Sequence, residues 1–155
     1  ECLEGINNVR VPENIKVIRK SGQGTLLANG DRELLRQVFP NLINNAIQAM
    51  PDGGELSLIT QKSSVPNQSP ENGSVARQYI SVTVADNGVG MSADNLAKIF
   101  NPFFTTKDKG TGLGLAISHN IIKAHQGTID AVSEEGKGTS FTVKIPSWDE
   151  NFDEK

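Results

Sequence analysis

The sequence predicts a two-layer α+β sandwich. Two stretches, 34–49 and 113–124, repeat apolar residues at helical spacing, while several shorter runs alternate apolar and polar residues around glycine turns. Runs of helix and of hairpin-joined strands, instead of strict strand–helix alternation, leave helices on one face of a sheet.

Residues 15–18 and 25–28 read as short strands separated by a turn at 21–24. Asp31 is suited to cap a helix, with Glu33 in its first turn. Leu34, Leu35, Val38, Leu42, Ala46 and Ala49 then keep a helical period until Pro51, Gly53 and Gly54 end it. Pro40 interrupts that stretch. It removes a helical hydrogen bond and clashes with the preceding turn, at ~3 kcal/mol unless relieved, so a kink or break is expected near Phe39. Residues 55–60 and 79–86 alternate as strands of a sheet covered on one face. Between them, 62–78 is rich in Ser, Asn, Pro and Gln and reads as a floppy hairpin insertion. Leu113, Ala116, Ile117, Ile121 and Ala124 mark a second long helix, closed by Gly127 as its C-cap. Strands at 128–132 and 139–145 flank the turn at Gly136 and Gly138, and the end of the chain is an acidic tail containing Asp149, Glu150, Asp153 and Glu154.

Composition narrows the function classes. The chain has 155 residues, 36% of them hydrophobic, and a net charge of -3, so it is long enough for one core and carries no basic excess for nucleic acid. Its one cysteine rules out an internal disulfide or a cysteine-rich metal site. No apolar run approaches the ~20 residues that span a bilayer, and no signal peptide opens the chain. A start without methionine is expected of a piece cut from something longer, including a membrane receptor.

Three polar or glycine clusters fall in a fixed order. Asn41 and Asn45 are four apart, on one side of their helix and beside its apolar stripe. Asparagine is a poor interior helix former, and an amide oxygen suits magnesium; capping or crosslinking of nearby backbone is the open alternative. In the strand ending at Asp86, the parity of Ile80, Val82 and Val84 aims the carboxylate at the apolar face. Such a group needs hydrogen-bond donors from neighbours or a ligand. Gly88 and Gly90 then permit positive φ and close backbone approach, although a plain Asp-Asn-Gly turn has the same spelling. Gly110, Gly112 and Gly114 precede a helix, whose free N–H groups can face an anion. Leu115 stands where a dinucleotide-binding motif needs its last glycine, and the Gly136-Lys137 pair is followed by Gly138, which excludes a P-loop. The glycine-free, turn-rich segment 92–109 holds Phe100, Phe103 and Phe104 and reads as a mobile lid; Lys107 and Lys109 are the positive charges nearest the site. An amide pair, a carboxylate and two glycine turns are the parts of a nucleotide pocket with a metal.

In order and wording these clusters resemble the N, G1 and G2 boxes of the GHKL ATP-binding family, and more narrowly the catalytic ATP-binding domain of two-component sensor histidine kinases. The segment from Ile99 to Lys107, Ile-Phe-Asn-Pro-Phe-Phe-Thr-Thr-Lys, resembles the nitrogen-regulator type. The likeness runs from about Ile15 to Pro146. It implies a Bergerat fold, a mixed, mostly antiparallel sheet of about five strands on about three helices. It also implies a catalytic domain over 1–147 and a tail over 148–155. By the resemblance, Asn45 holds the Mg2+ that bridges the phosphates of ATP, and Asp86 accepts a hydrogen bond from the exocyclic amine of adenine. Thr139 adds a hydroxyl at the same edge. The nucleotide contacts it implies further include Asn41, Gly88, Gly90, Met91, Lys107, Gly110, Thr111, Gly112, Leu113 and Gly114.

Two departures matter. Gln48 stands where many histidine kinases carry a lysine toward the phosphates, so Lys107 is favoured for the γ-phosphate, and Asn45 and Lys107 are the expected catalytic pair. ATP-hydrolysing relatives, the gyrase B subunit and the Hsp90 chaperones, place a general-base glutamate one turn before the magnesium asparagine. Here that position is Asn41, which favours phosphoryl transfer to an acceptor over hydrolysis. Neither His119 nor His125 carries the sequence typical of a phosphorylated histidine, and both are expected to be structural or surface residues. The acceptor is therefore expected on a dimerisation/phosphoacceptor helical domain of the same protein, with a response regulator receiver domain downstream. The resemblance further implies a homodimeric full-length protein, inner-membrane anchoring outside this segment where there is any, and a cytoplasmic domain touching neither membrane nor nucleic acid. An anti-sigma-type serine kinase and a nucleotide-sensing module are the alternatives.

Overall fold

The computed structural model describes residues 9–24, 26–65 and 77–148. In chain order the elements are β1 (Ile15–Ser21), α1 (Arg32–Gln48), β2 (Gly54–Val65), β3 (Arg77–Asp86), α2 (Ala93–Leu96), α3 (Gly114–Ala124), β4 (Thr128–Glu134) and β5 (Gly138–Pro146). The strands form one sheet in the order β1-β2-β3-β5-β4. β1 runs parallel to β2, and the other three pairings are antiparallel.

Period-two patterning decides which face is covered. Leu56 and Leu58 of β2, Ile80, Val82 and Val84 of β3, and Phe141, Val143 and Ile145 of β5 are buried. They form one cluster with Leu35, Val38, Phe39, Leu42, Ile43 and Ala46 of α1 and with Ile121 and Ile122 of α3. Each such side chain contributes about 1.5–3 kcal/mol by leaving water, so this single layer of contacts fixes α1 and α3 on the sheet. Asp31 caps α1 as expected, accepting the N–H groups of Glu33 and Leu34. Among the described residues no helix is long and apolar enough to cross a membrane.

Four sequence expectations need correction. Residues 26–28 make no strand beside β1; they cross the end of β5, through an isolated bridge between Ala28 and Ser147 and the Trp148 N–H on the Leu27 carbonyl at 2.8 Å. The partner of β1 is β2, reached through α1, and the Gly22 N–H on the Thr60 carbonyl at 2.7 Å carries that ladder past Ser21. Thr25 lies outside the described residues. The helix break expected at Phe39 is also missing, because α1 runs unbroken through Pro40. Val38 and Phe39 before the proline and Leu42 and Ile43 after it are all buried in one core, and that packing outweighs a single lost hydrogen bond. The β2–β3 ladder reaches Val65 opposite Arg77, so part of the expected insertion is strand; 66–76 and the tail at 149–155 lie outside the described residues.

The fourth correction concerns the end of α3. Gln126, not Gly127, takes the left-handed conformation, with φ of 58°. The Gly127 N–H bonds the Ile122 carbonyl at 2.9 Å and the Gln126 N–H bonds the Lys123 carbonyl at 3.0 Å, the paired bonds of a Schellman end. Gly127 is needed for a different reason, since a Cβ there would stand 2.3 Å from the Lys144 carbonyl oxygen. Gln126→Gly is therefore expected to stabilise the fold by about 1 kcal/mol, and Gly127→Ala to destabilise it by more than that. Urea titration of the two variants checks both signs.

Candidate nucleotide and metal site

A cavity of about 440 Å³ opens where the second half of α1, the end of β3, the start of β5 and the loop before α3 converge. Asp86 stands at its floor. The strand parity that buries Ile80, Val82 and Val84 carries the carboxylate inward, where it accepts the N–H groups of Gly88 at 2.9 Å and Thr139 at 3.3 Å. Burial pushes its pKa above the ordinary carboxylate value, and the two N–H bonds oppose that rise only in part. Beside it, Thr139 is 7% exposed, and its hydroxyl is 2.8 Å from Ser133 Oγ. Ser133 Oγ also accepts the Met91 N–H at 2.8 Å, tying the loop after β3 to the end of β4.

Asn41 and Asn45 both line the cavity, as their spacing predicts. Their roles there differ. Asn41 Nδ2 donates to Ser118 Oγ at 3.3 Å and to the Gly114 carbonyl at 3.4 Å, so it crosslinks α1 to α3. The Asn45 side-chain oxygen instead accepts the Lys107 ammonium at 3.1 Å, and the same ammonium reaches Gln48 Oε1. Burial lowers the pKa of Lys107. Lys109 lines only a smaller cleft next to the cavity.

Gly110, Thr111, Gly112 and Gly114 form the opposite wall. Leu113 caps α3 without any side-chain hydrogen bond, which leaves first-turn N–H groups of α3 beside the cavity. Gly112 has φ of 70°, and a Cβ on it would come within 2.4 Å of the Phe103 backbone. That approach is closed by the Phe103 N–H on the Gly112 carbonyl at 2.9 Å, which joins the 92–109 segment to the glycine loop. Within that segment Phe104 lines the cavity, Phe100 lies tilted against His119 with ring centroids 5.1 Å apart, and Phe103 is 74% exposed.

Residues 30–149 match the family described as histidine kinase-, DNA gyrase B-, and HSP90-like ATPase. The chain belongs to this family. It is 43% identical over 112 residues to sporulation kinase E of Bacillus subtilis, a match covering 72% of this chain and 14% of that protein. It is 43% identical over 116 residues to the sensor histidine kinase ZraS of Escherichia coli K12, covering 75% of this chain and 22% of that one. The chain thus spans less than a quarter of the length of either curated relative. In three dimensions it is similar to the nucleotide-free catalytic domain of the histidine kinase ThkA, with a TM-score of 0.68, 32% identity, and coverage of 86% of this chain and 79% of that one. Membership in an ATPase family implies ATP binding, and relatives named as sensor histidine kinases do not favour the serine-kinase or pure-sensor alternatives.

Against this family pattern, Gly88 and Leu113 are the expected site residues that do not line the cavity. A Cβ at Gly88 would sit 2.2 Å from the Ala49 carbonyl oxygen, and one at Gly90 2.0 Å from that of Glu134. Both glycines thus pack the loop closely, Gly88 on α1 and Gly90 on the end of β4, and Gly90, with φ of 67°, also lines the cavity. His119 and His125 do not line the cavity either; His125 Nε2 accepts the Asp31 N–H at 2.9 Å while Nδ1 meets the Ile121 carbonyl at 2.6 Å. A pair of hydrogen bonds gives that ring a structural place, as expected. Ser133 escaped the sequence reading because a serine in an alternating strand carries no signal until its cross-strand partner is known.

A raised Asp86 pKa means the unfolded chain binds fewer protons than the fold as Asp86 ionises, so its stability contribution is lost as pH rises through the higher folded value. Asp86→Asn removes that loss. From about pH 3 to about pH 7 the nucleotide-free parent should fall in melting temperature relative to the variant, while the variant binds ATP about 10- to 100-fold more weakly. Thermal melts across pH and calorimetry with ATP check the two effects.

Proposed function

We propose that residues 1–147 form the catalytic and ATP-binding domain of a sensor kinase. It transfers the γ-phosphoryl of Mg-ATP to a histidine on the dimerisation/phosphoacceptor helical domain of the same, homodimeric protein. The phosphoryl group then passes to an aspartate on a response regulator receiver domain. The observation that carries this reading is the shared cavity of Asp86, Asn45, Lys107 and the uncapped start of α3.

In this reading Asp86 accepts from the adenine amine and the Thr139 hydroxyl, fixed by Ser133, meets the same edge. A guanine carbonyl opposite Asp86 would be repelled, which selects the base. The phosphates lie against the first-turn N–H groups of α3 and the Gly110–Gly114 backbone. The residues suit a magnesium ion. The Asn45 oxygen already receives a cationic donor, and no group of three or more His, Cys, Asp or Glu gathers as a metal cage among the described residues. An ion held by one amide oxygen and the nucleotide's own phosphates matches the habit of Mg2+, which when bound neutralises charge on the phosphoryl oxygens.

Lys107 adds positive charge at the tail's end. Asn41 offers no carboxylate to take a proton from water, which favours an acceptor from outside the domain. There an imidazole nitrogen forms the new bond to phosphorus, the bond to the β-phosphate oxygen breaks, ADP leaves, and the imidazole proton goes to a base on the acceptor helix. Positioning and charge neutralisation then supply most of the acceleration.

With γ-labelled ATP and the purified acceptor hairpin of the parent protein, label is expected on histidine, lost in acid and kept in base. Acid-stable label, or none, overturns the reading. Asn45→Ala is expected to slow labelling about 100-fold and to flatten its dependence on magnesium concentration.

A further inference from the structure

Lys107 is held in an unusual way for a partly buried cation. Among the described residues it joins no ion pair; its ammonium is received by two neutral amide oxygens, those of Asn45 and Gln48. These acceptors are three residues apart on α1 and so present on one side of it. Gln48 and Lys107 also line both the main cavity and the smaller cleft beside it, so their contact forms the partition between the two.

The contact at Asn45 cannot survive loading in the form seen here. An ammonium and a divalent ion on the same side-chain oxygen would lie a few ångströms apart and repel each other. Arrival of metal at Asn45 therefore moves the ammonium away, and Gln48 is the remaining protein oxygen it already touches. We propose that Gln48 is the positioning residue for the phosphate-binding lysine, keeping the Lys107 ammonium at the cavity mouth, beside the terminal phosphate, once Asn45 is engaged elsewhere. The chemistry suits a glutamine. A carboxylate at this place would neutralise the ammonium and repel phosphate, whereas an apolar side chain would let the lysine swing into solvent. Holding Lys107 also holds the segment around it, because Thr105 Oγ1 accepts the Lys107 N–H at 3.0 Å and the Gly110 N–H bonds the Lys107 carbonyl at 3.2 Å. The inference rests on the phosphate role given to Lys107 above.

The test uses the whole chain and five proteins: the parent, Gln48→Met, Lys107→Met, the double variant, and the reciprocal swap Gln48→Lys with Lys107→Gln. Calorimetry gives the preference for Mg-ATP over Mg-ADP. Lys107→Met is expected to lower it about tenfold, and Gln48→Met several-fold. The double should lose no more than Lys107→Met alone, and the swap should recover most of the preference, because it restores the pair in reverse. Gln48→Met with the parental preference, or losses that add in the double, would overturn the proposal. A second arm needs no nucleotide. Hydrogen exchange at the amides of 105–110 should quicken in Lys107→Met and, by less because Asn45 still receives the ammonium, in Gln48→Met; the double should match Lys107→Met, and unchanged exchange in Gln48→Met would also overturn it. A parent that binds no ATP defeats the phosphate reading, while the exchange arm still decides whether Gln48 holds Lys107.

Discussion

The burial of one carboxylate organises this end of the molecule. Asp86 completes an apolar strand, so its charge is carried toward the core by the pleat that buries Ile80, Val82 and Val84. A carboxylate there persists only if donors converge on it, and the two that do come from separate parts of the chain, Gly88 just beyond β3 and Thr139 at the start of β5. That requirement fixes the β3–β5 register at its last pair, Asp86 opposite Thr139. It also explains Gly138, whose Cβ would stand 2.0 Å from the Asp86 carbonyl oxygen and whose φ of 118° only glycine adopts easily. On the other side, the Val89 N–H bonds the Ala49 carbonyl at 2.9 Å, which sets the loop against the end of the helix that carries Asn45.

The second frame is the pairing of α1 with α3. His125 meets the backbone at Asp31, where α1 begins, and Asn41 meets Ser118 and Gly114, where α3 begins. Two polar links at opposite ends of the helix pair, with apolar packing between, hold the uncapped start of α3 in place against the middle of α1. The distance from those free N–H groups to Asn45 is therefore set by the scaffold and not by a loop.

Much of this was legible in the sequence where the signal is local. Strand parity placed Asp86, a spacing of four placed Asn41 and Asn45, and a cap preference placed Asp31. What escaped depends on partners distant in sequence. Nothing around residues 15–18 says whether they pair with the next segment or, through α1, with β2. Pro40 reads as a helix breaker until the burial of Phe39 and Leu42 on either side is known. Glycine habit assigned the left-handed turn after α3 to Gly127, whereas the Lys144 carbonyl needs the glycine there and pushes the turn onto Gln126. Gly88 and Gly90 allow the close approach that their glycines announce, but the sequence could not say that the Ala49 and Glu134 carbonyls are what come close.

The cavity is electrically lopsided, and this has a consequence for any ligand. Its acid lies at one end, at Asp86. Away from it lie a lysine that joins no ion pair among the described residues and helix N–H groups with no side-chain cap, and the other polar side chains of the lining named above, Asn41, Asn45 and Thr139, are neutral. A molecule with hydrogen-bond donors at one end and an anionic tail at the other has one favourable direction of insertion, because the reverse pose sets its charge against the carboxylate. Orientation is thereby decided by long-range electrostatics before any short contact forms. The neutrality of Asn41 matters equally. On the reading proposed above, a carboxylate in its place would stand near the phosphates as a base for water, whereas the amide leaves the tail's end, beside Lys107 and the outer cleft, as the place for chemistry, and a nucleophile from another domain comes through that opening.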